Sequence, residues 1–333
     1  MSTREGTEVV DVDLAGLAAA RSEGFEQATA EKVIRLLGIL REVQARGPTK
    51  DRFTLKGGTA LNVFHFLKAP RLSVDIDLMV TGFPGASPGS EERRRVLEYL
   101  RSLVRGLDYT VSERPEQAGV TISCSYRNSL GSPDRIKIDL DLLNRMTLLS
   151  SVSRAGPDLF AADDVRFPVV SKPELLGQKL TAVAYRAAPR DLFDMYLMLR
   201  AGWHRNPRAR AMYLAYSFLQ DEEWYRLSYP VQLDVRYEPA QLTDVLRGEN
   251  PAPALERIRG TAERALERAK PPYTSATDRE QTLRRAILGG DLRAFADIAG
   301  QPDPTRRSAL AKHPGLVWRL QQARRPGVLE PSK

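Results

Sequence analysis

A mixed α/β domain over residues 1–170, followed by a mainly α-helical domain over 171–333, is the fold class that this sequence predicts. Three observations predict it. Phe53-Thr54-Leu55 reads as a short strand that runs into Lys56-Gly57-Gly58-Thr59, then an apolar-periodic segment, then Val74-Asp75-Ile76-Asp77-Leu78: strand, glycine turn, helix, strand. Two further runs, 120–126 and 135–143, alternate apolar and polar residues as half-buried strands do. Beyond Phe167-Pro168-Val169-Val170 the period changes, and helical spacing dominates.

Taken in order, residues 1–20 carry no strong pattern and are expected to be partly disordered. Over 25–46 the stripe Val33, Leu36, Leu37, Leu40 and Val43 predicts a core helix, closed by Gly47-Pro48. The Gly- and Pro-rich stretch 81–89 reads as a surface loop, and a helix follows over about 91–103 with Val96, Leu97, Leu100 and Val104 inward. Residues 127–134, with Gly131 and Pro133, read as the loop of a hairpin between the two alternating runs. In the second half, Ser171-Lys172-Pro173-Glu174 has capping-box spacing and opens a helix over 174–185, whose register sets Lys179 and Arg186 on one face. Further helices are expected at 191–200, 207–218, 254–270, 278–288, 292–298 and 316–324, with 219–250 irregular.

Composition narrows the function class. A chain of 333 residues, 42% hydrophobic and 28% charged, is that of a soluble protein large enough for two cores. No apolar run approaches the roughly 20 residues that a membrane span needs, and the polar N-terminus is unlike a signal peptide, so a cytoplasmic location is expected. The single cysteine, Cys124, lies in an apolar alternating run and reads as a buried thiol, which excludes an internal disulfide and a cysteine zinc site. His65, His204 and His313 have no ligand spacing, and Trp203, Trp224 and Trp318 read as core of the helical half. The net charge of +8 favours a polyanionic partner, and Arg284-Arg285, Arg306-Arg307 and Arg324-Arg325 are candidates for lining a groove for RNA.

The chemistry sits in the strands. Side chains alternate along a strand, so Asp75, Asp77 and Met79 share one face. Two carboxylates held that close are unfavourable without a cation, and hard oxygen donors suit Mg²⁺. In Lys137-Ile138-Asp139-Leu140-Asp141 another pair of carboxylates shares a strand face. Asp139, nearer the middle, is the first candidate for a third metal ligand and Asp141 the next. Gly57 and Gly58 let backbone approach a phosphate at a helix start, with the Thr59 hydroxyl beside them. Ser73 lies on the face of Asp75, where phosphorylation would add about −1.5 to −2 charge beside the metal.

Taken together, Lys56-Gly57-Gly58-Thr59-Ala60-Leu61, Arg71-Leu72-Ser73-Val74-Asp75-Ile76-Asp77-Leu78, Lys179-Leu180 with Ala182, Arg190-Asp191-Leu192-Phe193-Asp194 and His313-Pro314-Gly315-Leu316-Val317-Trp318 resemble the AbiEii/AbiGii toxin family. These are nucleotidyltransferase toxins of bacterial type IV toxin–antitoxin and phage-defence systems, the MenT-like enzymes among them. The resemblance implies a polymerase-β-like nucleotidyltransferase domain (α+β) followed by a helical bundle. It also implies an Mg²⁺-dependent enzyme with two ions that takes a nucleoside triphosphate, acts on RNA at the 3′ acceptor end of transfer RNA, and has a cognate antitoxin partner. Carried over by residue, Asp75, Asp77 and Asp139 become metal ligands and catalytic groups, joined in catalysis by Lys179 and Asp191. Lys56, Gly57, Gly58, Thr59, Arg71, Ser73, Lys179 and Arg186 become the nucleotide-binding set. An enzyme of the same fold modifying a protein or small molecule, and a non-catalytic nucleotide-binding regulator, are the alternative readings.

Overall fold

The computed structural model describes residues 14–45, 50–66, 68, 71–81, 90–116, 118–157, 160, 165–186, 188–220, 242, 245–246, 248, 251–269 and 272–323. Gly47-Pro48, the loop expected at 82–89, most of 219–250, Trp224 and Arg324-Arg325 lie outside the described residues. Chain contacts divide the protein into two units: Met1–Arg145 with Ser151–Val170 and Leu242–Glu249, and Met146–Ser150 with Ser171–Gln241 and Asn250–Lys333. Compared with a single cut after residue 170, residues 146–150 pass to the second unit and 242–249 to the first.

The first unit contains α1 (Leu14–Ser22), α2 (Gln27–Ala45), β1 (Phe53–Lys56), α3 (Gly57–Thr59) continuing into a π-helical turn Ala60–His65, β2 (Asp75–Val80), α4 (Glu91–Gly106), β3 (Thr110–Glu116), β4 (Gly119–Arg127), β5 (Pro133–Asp141), β6 (Val152–Ala155) and β7 (Arg166–Val169). The strands form one seven-stranded mixed sheet in the order β3-β4-β5-β2-β1-β7-β6. β2 pairs parallel with β5. Parallel neighbours cannot be joined by a tight turn, so α4, β3 and β4 intervene as the crossover. Ile76, Leu78 and Val80 of β2 and Ile136, Ile138 and Leu140 of β5 are buried, and the carboxylates that alternate with them are half-buried on the other face. The stripe expected on α2 is buried throughout: Val33, Leu36, Leu37, Leu40 and Val43.

Several elements depart from expectation. α1 occupies part of the stretch expected to be disordered; it is alanine-rich and buries Leu17 and Ala20 without a wide apolar stripe, so propensity rather than pattern carries it. β3 is exposed along most of its length and so lacks the alternation that marks a strand. β6 and β7 are four residues each, and Pro168, which donates no hydrogen bond, sits inside β7. The β4–β5 loop is shorter than expected, since the strands reach Arg127 and Pro133; Asn128 Oδ1 closes it by accepting from the N–H groups of Leu130 and Ser132.

The second unit is helical: α5 (Lys172–Arg186), α6 (Pro189–Arg200), a 3₁₀ turn (Trp203–Arg205), α7 (Ala209–Gln220), α8 (Pro251–Glu267), α9 (Asp278–Leu288), α10 (Ala294–Ile298), α11 (Pro304–Leu310) and α12 (Pro314–Ala323). Leu176, Leu180, Met195, Met212, Tyr213, Phe218, Phe295 and Leu316 are among its buried side chains, and Trp203 is buried as expected. α11 was not expected, having one buried residue, Leu310, although Asp303 caps it and Pro304 takes its first turn. Among the described residues no helix is long and apolar enough to cross a membrane.

The capping box expected at Ser171 and Glu174 is not made. Glu174, wholly buried, instead accepts from the N–H groups of Leu148 and Leu149 at 2.8 and 2.9 Å and from the Tyr216 hydroxyl at 2.6 Å. An unsatisfied buried N–H costs about 1–3 kcal/mol, which gives those two amides a strong claim on it, and the Ser171 hydroxyl is left buried with no hydrogen-bond partner among the described residues. Arg306 completes the clamp by donating to the carbonyl oxygens of Thr147, Leu148 and Leu149. Arg306 is thus structural, and Arg307 is paired to Asp297 at 2.6 Å; neither is the open groove residue that the sequence suggested. The capping box forms at Thr277 and Glu280.

Candidate active site

Strand register assembles the first unit's site. Lys56 of β1 lies opposite Asp77 of β2, Asp77 opposite Asp139 of β5, and Asp139 opposite Thr121 of β4. Directly opposed residues share a sheet face. Four neighbouring strands therefore set a cation, two carboxylates and a hydroxyl in one transverse row.

The Gly57-Gly58 turn closes over this row. Gly57 has φ +70°, a left-handed conformation, and a Cβ there would come within 1.9 Å of Asp77 Oδ2. Only glycine satisfies both conditions. A Cβ on Gly58 would meet Ser73 Oγ at 2.6 Å and Arg71 Nη2 at 3.0 Å, so these two side chains pack beneath the turn. Thr59 Oγ1 lies 3.0 Å from Ser73 Oγ and 2.5 Å from the Asp75 carbonyl oxygen, and Thr59 is wholly buried. The hydroxyl ties the turn to the entry of β2 instead of offering itself to a ligand. Ser73 is likewise buried, which leaves a kinase no access to it in the folded chain. Arg71, also buried, donates to the Leu72 carbonyl at 2.7 Å.

The two candidates for a third carboxylate are in different circumstances. Asp141 Oδ2 accepts from Lys56 Nζ at 2.7 Å, and Asp141 Oδ1 accepts from the N–H groups of Leu143 and Asn144. Burial alone would push its carboxyl up; Lys56 and Asn144 outweigh that and hold it below the usual carboxylate range. Burial likewise works to depress the Lys56 ammonium, but Asp141, Asp77 and Asp139 together raise it above its ordinary value. Among the described residues Asp139 has one hydrogen-bond partner, the Thr121 hydroxyl, which donates at 2.5 Å. Asp139 is therefore the member of the pair with coordination capacity left.

The donor set fits Mg²⁺ in kind, since Asp75, Asp77 and Asp139 supply hard carboxylate oxygens from adjacent strands. A cradle floored by glycine backbone against Asp77 fits the same use. Among the described residues no three ligating side chains converge on one point, with Asp139 turned to Thr121.

The second unit holds its own charged cluster. Lys179 Nζ lies 2.7 Å from Asp194 Oδ2 and 3.3 Å from Asp191 Oδ1, all three side chains being buried. Arg186 grips Asp191 with both ends of its fork, at 2.5 and 2.9 Å, and keeps 66% of its side chain exposed. Burial raises the Asp191 carboxyl, but Arg186 and Lys179 outweigh it and hold it below the usual range. The shared face expected for Lys179 and Arg186 thus exists, with Asp191 as its centre.

Sequence reasoning overlooked two supporting groups: Thr121 orients Asp139, and Asn144 orients Asp141. Asp194, which stands in the family motif at i, i+3 from Asp191 on α6, pairs with Lys179.

No curated protein matches the chain. A solved structure, the nucleotidyltransferase toxin MenT4 from Mycobacterium tuberculosis H37Rv, is similar with a TM-score of 0.56 at 16% sequence identity, covering 90% of this chain and 98% of that one. At that identity the likeness speaks for the fold. A family model described as nucleotidyl transferase AbiEii toxin, type IV TA system, matches residues 38–299, from the end of α2 through α10. That span includes every element that carries the carboxylate row and the Lys179 cluster. The chain belongs to the AbiEii family of nucleotidyltransferase toxins.

Proposed function

We propose that this toxin transfers a nucleotidyl group from a nucleoside triphosphate to RNA, at the 3′ acceptor end of transfer RNA, and so stops aminoacylation and growth. The observation that carries the reading is the row Lys56, Asp77, Asp139 on adjacent strands beneath the Gly57-Gly58 turn. Carboxylates beside close-approach backbone suit a substrate that is anionic and arrives with cations. The net charge of +8 suits a polyanionic acceptor. Membership of a type IV toxin–antitoxin family brings an antitoxin partner with it.

Asp75, Asp77 and Asp139 would hold two Mg²⁺ ions, which when bound neutralise phosphate charge and lower the pKa of the attacking hydroxyl. The chain's own groups do the rest by position and charge. Lys56, kept protonated and anchored by Asp141, adds a fixed positive charge beside Asp77. The Gly57-Gly58 backbone receives the triphosphate, and Thr59, Ser73 and Arg71 hold that turn in place. In the second unit Lys179 is committed to two carboxylates, so the exposed Arg186, oriented by Asp191, is the member of that cluster assigned to phosphate.

Incubation of the protein with Mg²⁺, total transfer RNA and each α-³²P-labelled nucleoside triphosphate, beside Asp75→Ala, tests the reading on a denaturing gel. Label in transfer RNA with the native protein alone is the expected result. Label only in a protein or small-molecule fraction would move the acceptor elsewhere, and no incorporation into any fraction would overturn the reaction.

A further inference from the structure

The second unit contains a cavity of about 930 Å³ that belongs neither to the carboxylate row nor to the Lys179 cluster. The ends of α6 and α8, the 3₁₀ turn, α7, α9 and α10 all contribute to its wall. Its apolar side includes Leu199, Leu214, Leu283 and Ile298. Its charged side is unbalanced. The lining holds two carboxylates, and each already has an arginine: Glu280 takes the fork of Arg210 at 3.0 and 2.6 Å, and Asp297 takes Arg307 at 2.6 Å. Arg210 is further committed to the carbonyl oxygens of Pro272 and Ser275. Three more arginines line the same cavity, Arg205, Arg268 and Arg279, from three different elements, and none makes an ion pair among the described residues. All three are exposed.

We propose that this cavity is a second binding site, for a nucleoside phosphate, with Arg205, Arg268 and Arg279 receiving the phosphates and the apolar wall receiving the base. Guanidinium groups match phosphate geometry with paired donors. The volume falls within the range of small-molecule sites, roughly 300–1,000 Å³. Both carboxylates of the lining are already taken by other arginines, so the cavity carries an excess of positive charge, and a polyanion is the partner that balances it. The phosphate could come from a free nucleotide or from a nucleotide of an RNA chain, and both present the same chemistry to the arginines.

The site is separable from the first unit because it needs no metal carboxylate. Isothermal titration calorimetry of the full chain with ATP in EDTA, on the native protein, Asp75→Ala and Arg205→Gln/Arg268→Gln/Arg279→Gln, reads it directly. The native protein and Asp75→Ala are expected to bind one equivalent with equal affinity, and the triple variant at least about tenfold more weakly. Arg268→Glu alone, with thermal unfolding as a check on the fold, is expected to weaken binding in the same direction. Displacement of ATP by a short single-stranded RNA assigns the phosphate to RNA, and displacement by mononucleotides alone assigns it to a free nucleotide. Unchanged affinity in the triple variant, loss of all binding in Asp75→Ala, or no binding in EDTA by any form would overturn the proposal. None of these results bears on whether the first unit transfers nucleotides, which the labelling experiment decides separately.

Discussion

Lys56 Nζ stands 2.7 Å from Asp141 Oδ2, and the pair joins the last residue of β1 to the last residue of β5 across the intervening β2. This contact makes Asp141 the anchor of a lysine and leaves Asp139 as the carboxylate that faces Asp77. Asp141→Asn and Lys56→Met should each slow nucleotide transfer by about 10–100-fold, the usual cost of losing a group that orients a site. Initial rates for both variants and their double form a cycle, and the double should cost little more than either single. Additive losses would mean that the two residues act separately.

Asp139→Asn should cost at least about 100-fold in rate and weaken Mg²⁺ binding, whereas Asp141→Asn should leave Mg²⁺ affinity nearly unchanged. Titration calorimetry with Mg²⁺ distinguishes the two without relying on turnover. Equal loss of affinity in both would return Asp141 to the ligand set.

Gly57→Ala should lower both thermal stability and activity, because the new methyl group collides with Asp77 and the left-handed backbone disfavours alanine by about 1–2 kcal/mol. The melting temperature is the direct readout. A native melting temperature would mean that the turn sits differently from the geometry described.

Arg306→Ala strips donors from the carbonyl oxygens of Thr147, Leu148 and Leu149. The Leu148 carbonyl keeps the Gln301 amide as a donor, so the loss falls on Thr147 and Leu149, and leaving these unsatisfied should destabilise the protein by about 1–3 kcal/mol. Urea unfolding measures this, and a change below about 0.5 kcal/mol, typical of an ordinary surface substitution, would show that the clamp is dispensable.

The Asp191 carboxyl is held below its ordinary value in the folded state. A depressed carboxyl contributes stability that is fully present above the unfolded value and is lost as pH falls through the folded one. Stability should therefore decline on acidification from about pH 5 downward, and Asp191→Asn should flatten that slope. An identical slope in the variant would place the acid sensitivity elsewhere.

Much of the site was legible from local pattern. Alternation at period two put Asp75 and Asp77 on one face of β2, and Asp139 and Asp141 on one face of β5, and the structure keeps both. The stripe of α2 and the bounds of α9 also followed from residue spacing. Exposed β3, short β6 and α11 escaped because each buries too little to leave a periodic trace, and β7, which buries Phe167 and Val169, because four residues with Pro168 inside are too few to read as a strand. The Ser171 capping motif misled because Glu174 is claimed by amides 25 and 26 residues away, which no local window contains.

By itself, then, the sequence determined which residues share a strand face, where the chain must turn on glycine, and which family the motifs resemble. Only the tertiary structure decided which faces meet. Asp77 and Asp139 are opposed because β2 and β5 pair in one register out of several, and register depends on contacts between strands more than fifty residues apart, not on the alternation within either. The same non-local pairing gave Lys56 to Asp141, and helix packing gave Lys179 to Asp191 and Asp194. Periodicity is a property of one segment, whereas a charge finds its partner only when segments are brought together and desolvated.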